Sequence, residues 1–228
     1  MRKPVETLTA AQLVEKLKGL GKPEYVEGMV RFGISANKTL GVSIPNLRGL
    51  ARGRRDHQLA LDLWATGIHE ARILAAFVED PAQVTPDQMD TWAADFDSWD
   101  VCDQACISLF DKTPHAVKKA LEWSGRQEEF AKRAGFAMMA ALAWHDKQGS
   151  DEKFLQFLPL IIRESSDGRN FVKKAVNWAL RQIGKRNPVL RQAAIKTAQE
   201  IQALGTPAGR WIAADALREL TKTGKTLK

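Results

Sequence analysis

The sequence has few of the residues that support disulfide, metal or phosphate-loop chemistry. Among its 228 residues are two cysteines and four histidines, and the histidines show no ligand spacing with cysteine or carboxylate. Cys102 and Cys106 stand four apart, on one apolar face of a predicted helix, so we expect buried free thiols of a reducing cytosol and no disulfide framework. No glycine-rich phosphate-binding loop is present. We therefore expect neither a metal nor any other cofactor.

Long apolar runs and strand-like patterns are also missing. The longest uncharged run, Ala134 to His145, is far too short to cross a bilayer, and the first residues lack the apolar core of a signal peptide. No convincing period-2 alternation and no Asn-Gly or Asp-Gly turn occurs. The sequence therefore predicts a soluble, cytoplasmic, all-α protein with no membrane partner.

Charge is distributed unevenly along the chain. The net charge is +7 at pH 7, but residues 1–100 carry a net −2 and residues 101–228 a net +9. A one-sided basic surface is typical of a protein that binds a polyanion. The C-terminal half is thus the expected footprint.

Helix start signals recur with the same chemistry. Threonine or asparagine as the N-cap satisfies orphan amides, and proline at the first helical position presets φ. The four such dipeptides are Thr85-Pro86, Thr113-Pro114, Asn187-Pro188 and Thr206-Pro207. Ile44-Pro45 and Lys22-Pro23 indicate two earlier starts.

These signals predict antiparallel helix pairs whose starts lie near 40 residues apart, the spacing of a HEAT-like repeat solenoid. The predicted pairs are 85–97/99–111, 113–124/127–145, 151–164/169–186 and 188–204/207–221, after shorter helices near 9–19, 23–33, 45–55, 57–66 and 68–79. We expect one domain, 1–228, with a disordered tail from about residue 222. If 99–111, 127–145 and 169–186 are the inner helices, their exposed faces line a concave basic groove.

The most informative helix is the last of these three. Residues 168–199 contain eight Lys and Arg and no Asp or Glu. Trp178 lies opposite the apolar side of this helix, in a stripe formed with Lys174, Arg181 and Lys185. A tryptophan in a cationic, acid-free stripe suits a polyanion whose bases meet a π-face. The alternative is a solvated basic face with the tryptophan packed on a neighbouring helix.

The other two inner helices add a carboxylate, a second tryptophan and an arginine. Trp99 and Asp103 are one turn apart, and Arg133 is followed on its face by small residues. Each has a structural alternative: a helix-entry staple for Trp99, a first-turn carboxylate for Asp103 and an ion pair, with Asp103 itself, for Arg133. Together, two indoles beside a carboxylate form a receptor for a cation. In a basic groove, such a receptor would take a cationic group carried on a polyanion. An alkylated purine in DNA fits that description.

At these residues the sequence resembles the HEAT-like-repeat alkylpurine DNA glycosylases, the bacterial DNA alkylation repair D family. The likeness runs from about residue 25 to 220. Its segments are Ser98-Trp99-Asp100-Val101-Cys102-Asp103, Phe130-Ala131-Lys132-Arg133-Ala134, the helix from Phe171 to Arg181, Lys185-Arg186-Asn187-Pro188, and Gly41-Val42-Ser43-Ile44-Pro45 with Arg48.

The resemblance implies a role for each matching residue. Trp99 and Trp178 would flank the lesion nucleoside, Asp103 would sit beside the deoxyribose C1′, and Arg133 would contact the DNA near the gap. The backbone contacts would come from Lys173, Lys174, Arg181, Lys185 and Arg48.

The expected activity is a monofunctional glycosylase that removes N3- or N7-alkylated purines from double-stranded DNA and leaves an abasic site, since no Schiff-base nucleophile is identifiable. We expect a monomer associated with the nucleoid. Asp95-Phe96-Asp97, just before Trp99, is more acidic than a DNA groove favours, and some relatives keep the fold without the activity. The alternatives are therefore a non-enzymatic binder of DNA structures and a HEAT-type protein-interaction module.

Overall fold

A computed structural model of the chain describes residues 8–222. In this range the chain forms helices, turns and loops, and no strand. It divides into two compact units, one ending at Thr113 and one beginning at Pro114. That the chain is one domain stays a prediction. The tail predicted from about residue 222 lies, apart from Lys222, outside the described residues.

The helices follow the predicted order closely. The first unit contains α1 (Ala10–Leu20), α2 (Pro23–Arg31), α3 (Ile44–Ala51), α4 (His57–Ala65), α5 (His69–Val78), α6 (Pro86–Ala94), α7 (Trp99–Ser108) and a 3-10 turn (Phe110–Lys112). The second contains α8 (Ala116–Ser124), α9 (Glu129–His145), α10 (Asp151–Leu155), α11 (Leu158–Glu164), α12 (Asn170–Gly184), α13 (Pro188–Ala203) and α14 (Pro207–Leu220). Within residues 8–222, no helix is both long and apolar enough to span a membrane.

Three of the four proline-marked starts are confirmed as N-caps. The side chains of Thr85, Asn187 and Thr206 each accept a hydrogen bond from a backbone amide three residues on. The fourth prediction was wrong by two residues. Thr113 closes the preceding 3-10 turn by donating its hydroxyl to the carbonyl of Phe110, and α8 begins only at Ala116.

The predicted helix 151–164 is in fact two helices. α10 ends at Leu155, and α11 starts at Leu158 with a proline in its first turn. That proline, Pro159, has no amide proton to donate, and its ring clashes with the carbonyl four residues earlier. A proline inside the apolar pattern therefore ends α10 and starts α11.

In the first unit, α5 is the central helix and packs on α3, α4 and α7. Its Glu70 is buried, and the carboxylate accepts hydrogen bonds from the backbone amides of Leu40, Gly41 and Val42. Gly41 has a φ of +78°, and a Cβ there would lie 2.2 Å from the carbonyl oxygen of Lys22. The glycine is thus required by both conformation and space. The turn matched by the family resemblance at Gly41 is held by one buried carboxylate.

Both cysteines of α7 are buried, and neither forms a disulfide within residues 8–222, as predicted. Burial, with the neighbouring Cys102, raises the pKa of the Cys106 thiol well above its ordinary value. A thiol held protonated in an apolar core is a poor nucleophile. These cysteines therefore act as small core residues.

In the second unit, α9, α12 and α14 lie side by side and run parallel. The first turn of α12 meets the first turn of α9, where the rings of Phe130 and Phe171 are 5.4 Å apart. Between α12 and α14, contacts recur between residues 38 apart, as in Asn177 with Asp215 and Arg181 with Glu219. This repeated offset is the structural counterpart of the near-40-residue repeat in the sequence.

Helix α9 approaches α8 so closely that only glycine fits at the crossing. A Cβ on Gly135 would lie 2.5 Å from the backbone nitrogen of Ser124.

We expect Gly135→Ala to lower the free energy of unfolding by about 1–3 kcal/mol, because the backbones must separate. The control is Gly28→Ala in α2, where nothing lies within 4 Å of the added Cβ. There helix propensity predicts a gain of about 0.5–1 kcal/mol. Urea unfolding measures both, and equal changes would contradict the close contact.

Candidate nucleic-acid interface

The first turn of α7 presents Trp99 and Asp103 together. Both side chains are half-buried, and they lie one turn apart on the helix. The indole Nε1 of Trp99 donates a hydrogen bond to the carbonyl of Phe32, at 3.1 Å. That bond fixes the orientation of the ring, so its π-face is presented in a defined direction. The pair predicted from the sequence is therefore a real local arrangement within the first unit.

Trp99 also forms part of the wall of an apolar cavity of about 490 Å³. Helix α2 contributes Tyr25 and Met29, and the loop after it contributes Phe32 and Ile34. None of the residues of α2 is buried. A cavity of this size and lining is typical of sites that accept a small organic ligand.

Asp100, one of the two aspartates of α7, pairs with a residue of the neighbouring helix. The Oδ2 of Asp100 lies 2.8 Å from Nε2 of the buried His69. Burial alone lowers the pKa of His69, but the hydrogen bond and charge of Asp100 outweigh it and leave the pKa raised. Asp100 is thus committed to α5. Asp103, one turn on, is the carboxylate to which the family resemblance assigns the chemistry, and that role stays a prediction.

On α12, Trp178 is half-buried and Lys174 is exposed. The apolar side of the helix is buried, including Val176 and Leu180. Trp178 is thus not among the buried residues of this helix, and its place at a nucleoside stays a prediction. Lys173 is directed elsewhere, because its ammonium lies 4.9 Å from the centre of the ring of Trp211 on α14.

Farther along α12, the predicted stripe is neutralised by acids from α14. Arg181 donates to Glu219 at 2.6 Å, and the ammonium of Lys185 lies 3.0 Å from the same carboxylate. Burial raises the pKa of Glu219, but hydrogen bonds from Lys185 and Arg181 outweigh that and lower it. Glu219 is therefore ionised at neutral pH. The stability contributed by these pairs is present at neutral pH and is lost only as the pH falls through the lowered pKa of Glu219.

Arg133 is only 6% exposed, and its Nη1 donates to the carbonyl of Phe171 at 2.7 Å. The guanidinium thus supports the first turn of α12. Its neighbour Lys132 is also buried and pairs with Glu164 at 2.5 Å. Contact of Arg133 with DNA stays a prediction from the resemblance, on a side chain that the fold largely covers.

Two further family-like positions have structural contacts. The guanidinium of Arg48, on the exposed side of α3, lies 4.7 Å from the ring of Phe77. Arg186 stacks at 3.7 Å on Phe154 and donates to the carbonyl of Ala143. Arg186 thus ties the end of α12 to the end of α9. A backbone contact by Arg48 remains a prediction.

Sequence reasoning missed the acids of α14 and Trp211. The acid-free run covers α12 and most of α13, whereas the neutralising residues come from the next parallel helix, 38 residues later. The 38-residue offset applied to Arg181 leads to Glu219, and applied to Lys173 leads to Trp211. The repeat spacing in the sequence was thus the signal that identifies both.

The contrast between Lys174 and Arg181 can be measured. We expect Lys174→Gln to weaken binding to undamaged duplex DNA and to reduce the slope of log K against log salt by about 0.9, the value for one phosphate contact. Arg181→Gln should leave that slope unchanged and lower stability by about 1 kcal/mol or less, since the pair is partly exposed. Fluorescence anisotropy of labelled DNA, measured over a series of salt concentrations, gives both slopes. A smaller slope for Arg181→Gln together with an unchanged slope for Lys174→Gln would contradict this assignment.

The comparisons with known proteins agree with this architecture. A model of a family described as DNA alkylation repair enzymes matches residues 13–220. A solved structure is similar, with a TM-score of 0.76 and 20% identity over 85% of this chain and 83% of its own. It belongs to a new family related to the HEAT-like repeat DNA glycosylases, with affinity for branched DNA structures. No curated protein matches the chain. The structural likeness shows a HEAT-like repeat fold, as predicted, and the family match shows that the chain belongs to the DNA alkylation repair enzyme family.

Proposed function

We propose that the protein is a monofunctional DNA glycosylase that removes cationic N3- or N7-alkylated purines from duplex DNA and leaves an abasic site. The observation that carries this proposal is the arrangement on α7. An oriented indole and a carboxylate stand one turn apart, both half-buried, in a member of the DNA alkylation repair enzyme family.

The reaction needs little catalytic assistance from the protein, because alkylation at N3 or N7 makes the purine a cation. When the bond from C1′ to the purine nitrogen breaks, its electron pair neutralises the base, which needs no proton to leave. Positive charge then develops on the sugar. A carboxylate in a partly dry site stabilises that charge, which is the role we assign to Asp103. Water adds to C1′, and its proton passes to solvent.

Trp99 supplies a π-face for the cationic base. A cation–π contact contributes about 0.5–1 kcal/mol at exposed sites and about 2 kcal/mol when desolvated. The ring of Trp99 is held by its hydrogen bond to Phe32, so little rotamer entropy is lost when the lesion binds. Trp99 therefore favours a charged purine over a neutral one.

The second unit supplies the electrostatic attraction for DNA. From Pro114 onward the chain has 21 Lys and Arg against 11 Asp and Glu. Exposed Lys174 and half-buried Trp178 both belong to α12, one turn apart. We assign them to the phosphate backbone and to a nucleoside face respectively. Arg181 and Lys185 serve chiefly to pair with α14.

A second candidate is a binder of DNA structures without catalytic activity. It is favoured by the affinity for branched DNA described for the family of the similar structure. The two functions differ in the fate of the glycosidic bond. A duplex with a single 7-methylguanine separates them.

The test is to incubate excess protein with that duplex and analyse both products. The glycosylase releases free 7-methylguanine and leaves a strand that breaks only after alkali treatment. Strand breakage without alkali would contradict a monofunctional enzyme. Binding of the duplex with release no faster than the spontaneous rate would favour the second candidate.

A further inference from the structure

The N-terminal ends of α12 and α14 carry an aromatic and cationic cluster outside the residues assigned above to the lesion. Trp211 is 41% exposed although it lies within a helix. The ammonium of Lys173 lies 4.9 Å from the centre of its ring. Exposed Lys174 and Arg210 are the chain neighbours of these two residues. A large apolar side chain left in solvent among cations is a candidate contact surface.

The seam, the line of contact between α12 and α14, differs in charge between its two ends. At its C-terminal part, Arg181 and Lys185 are neutralised by Glu219. The acid nearest to Trp211 along α14 is Asp215, one turn further on, which accepts a hydrogen bond from Asn177 and pairs with Arg218. No acid of α14 precedes Asp215, so the part of this helix beside Lys173 carries no such carboxylate. The seam therefore presents its positive charge at the end where Trp211 lies.

We infer that this Trp211 surface, formed by Lys173, Lys174, Arg210 and Trp211, binds an unpaired nucleotide, with the indole stacking on its base. The inference rests on the DNA binding proposed above but not on glycosylase activity. In a duplex, neighbouring bases cover each base face, so an exposed indole stacks on a base only where pairing is interrupted. Base–aromatic stacking with nearby cations is the usual arrangement for single-stranded nucleic acid.

The contact between Lys173 and Trp211 fits this occupant. Among residues 8–222, the contact of the lysine ammonium is with the ring of Trp211, and the attraction of a ring quadrupole is weak at an exposed site. A phosphate offers it a charge-assisted hydrogen bond, which is stronger. Binding would therefore move the ammonium to the backbone and leave the π-face of Trp211 to the base.

The test compares an intact duplex with the same duplex carrying a short single-stranded gap, both undamaged and fluorescently labelled. Stacking of one base contributes about 1–3 kcal/mol, so Trp211→Leu should raise the Kd for gapped DNA roughly 5–150-fold. The Kd for the intact duplex should change less than about twofold. Trp211→Phe should keep most of the affinity, since a phenyl ring still stacks.

The matched control is Trp144→Leu. Trp144 is 51% exposed in the same unit and stacks on His145, but it lies at the C-terminal end of α9. It should alter neither Kd. An equal loss of affinity for both DNAs in Trp211→Leu, or no loss of affinity for the gapped DNA, would overturn the inference. All of these are binding measurements, so they remain decisive whether or not the protein releases 7-methylguanine.

Discussion

Asp103→Asn is expected to slow the single-turnover release of 7-methylguanine by about 10²–10³-fold, the usual effect of removing one electrostatic partner of a transition state. Asparagine keeps the shape and the hydrogen-bonding reach of the side chain but removes its charge. Affinity for the damaged duplex should hold or rise, because an anion near the DNA disappears. The loss therefore belongs to the chemical step and not to binding.

The control for this variant is Asp97→Asn. Asp97 is an exposed carboxylate two residues before Trp99 and lies 3.7 Å from the guanidinium of Arg72. Its neutralisation changes the net charge near α7 by the same amount, and we expect an unchanged rate. Equal rates for Asp103→Asn and wild type would leave Asp103 as a residue that stabilises the start of α7.

Glu70→Ala should reduce the free energy of unfolding by at least about 3 kcal/mol. Its carboxylate accepts the backbone amides of Leu40, Gly41 and Val42 in a buried setting, and each buried donor left without a partner costs about 1–3 kcal/mol. Glu70→Gln should cost less than Glu70→Ala, because the amide oxygen still accepts a hydrogen bond. It should still lower stability, because the NH₂ group faces the same donors. Chemical denaturation measures both.

Glu15→Ala is the control for loss of a glutamate. Glu15 is exposed on α1 and pairs with Lys18, and exposed ion pairs contribute about 0–1 kcal/mol. We expect a change within about 0.5 kcal/mol. If Glu70→Ala were as mild as Glu15→Ala, water or rearranged backbone must satisfy the turn, and Glu70 would not hold it.

The helical order was predictable because its signals are local. Thr85, Asn187 and Thr206 cap their helices through contacts within one turn, so the sequence around each suffices. The buried side of α12, with Val176 and Leu180, was predictable because helical periodicity alone separates the two sides of a helix. The division at Pro159 was missed although its signal is also local. There the apolar pattern of 151–164 outweighed a proline that cannot continue a helix.

The surroundings of the predicted cations were not predictable in the same way. Arg181 and Lys185 read as exposed in a run without acids, but Glu219 reaches them from a parallel helix 38 residues later. Likewise, nothing near Glu70 in sequence indicates the buried amides of the Gly41 turn. Such contacts depend on which helices become neighbours. The HEAT-like repeat fold is shown, and the concave basic groove stays a prediction.

The central claim is that the protein excises purines because they are cationic. The most direct measurement compares single-turnover base release by the wild-type protein from two duplexes, identical except for 7-methylguanine or hypoxanthine at one position. The account predicts release of 7-methylguanine far above the spontaneous rate and none of hypoxanthine, whose departure as a neutral base requires protonation. Comparable release of both bases, or release of neither, would contradict it.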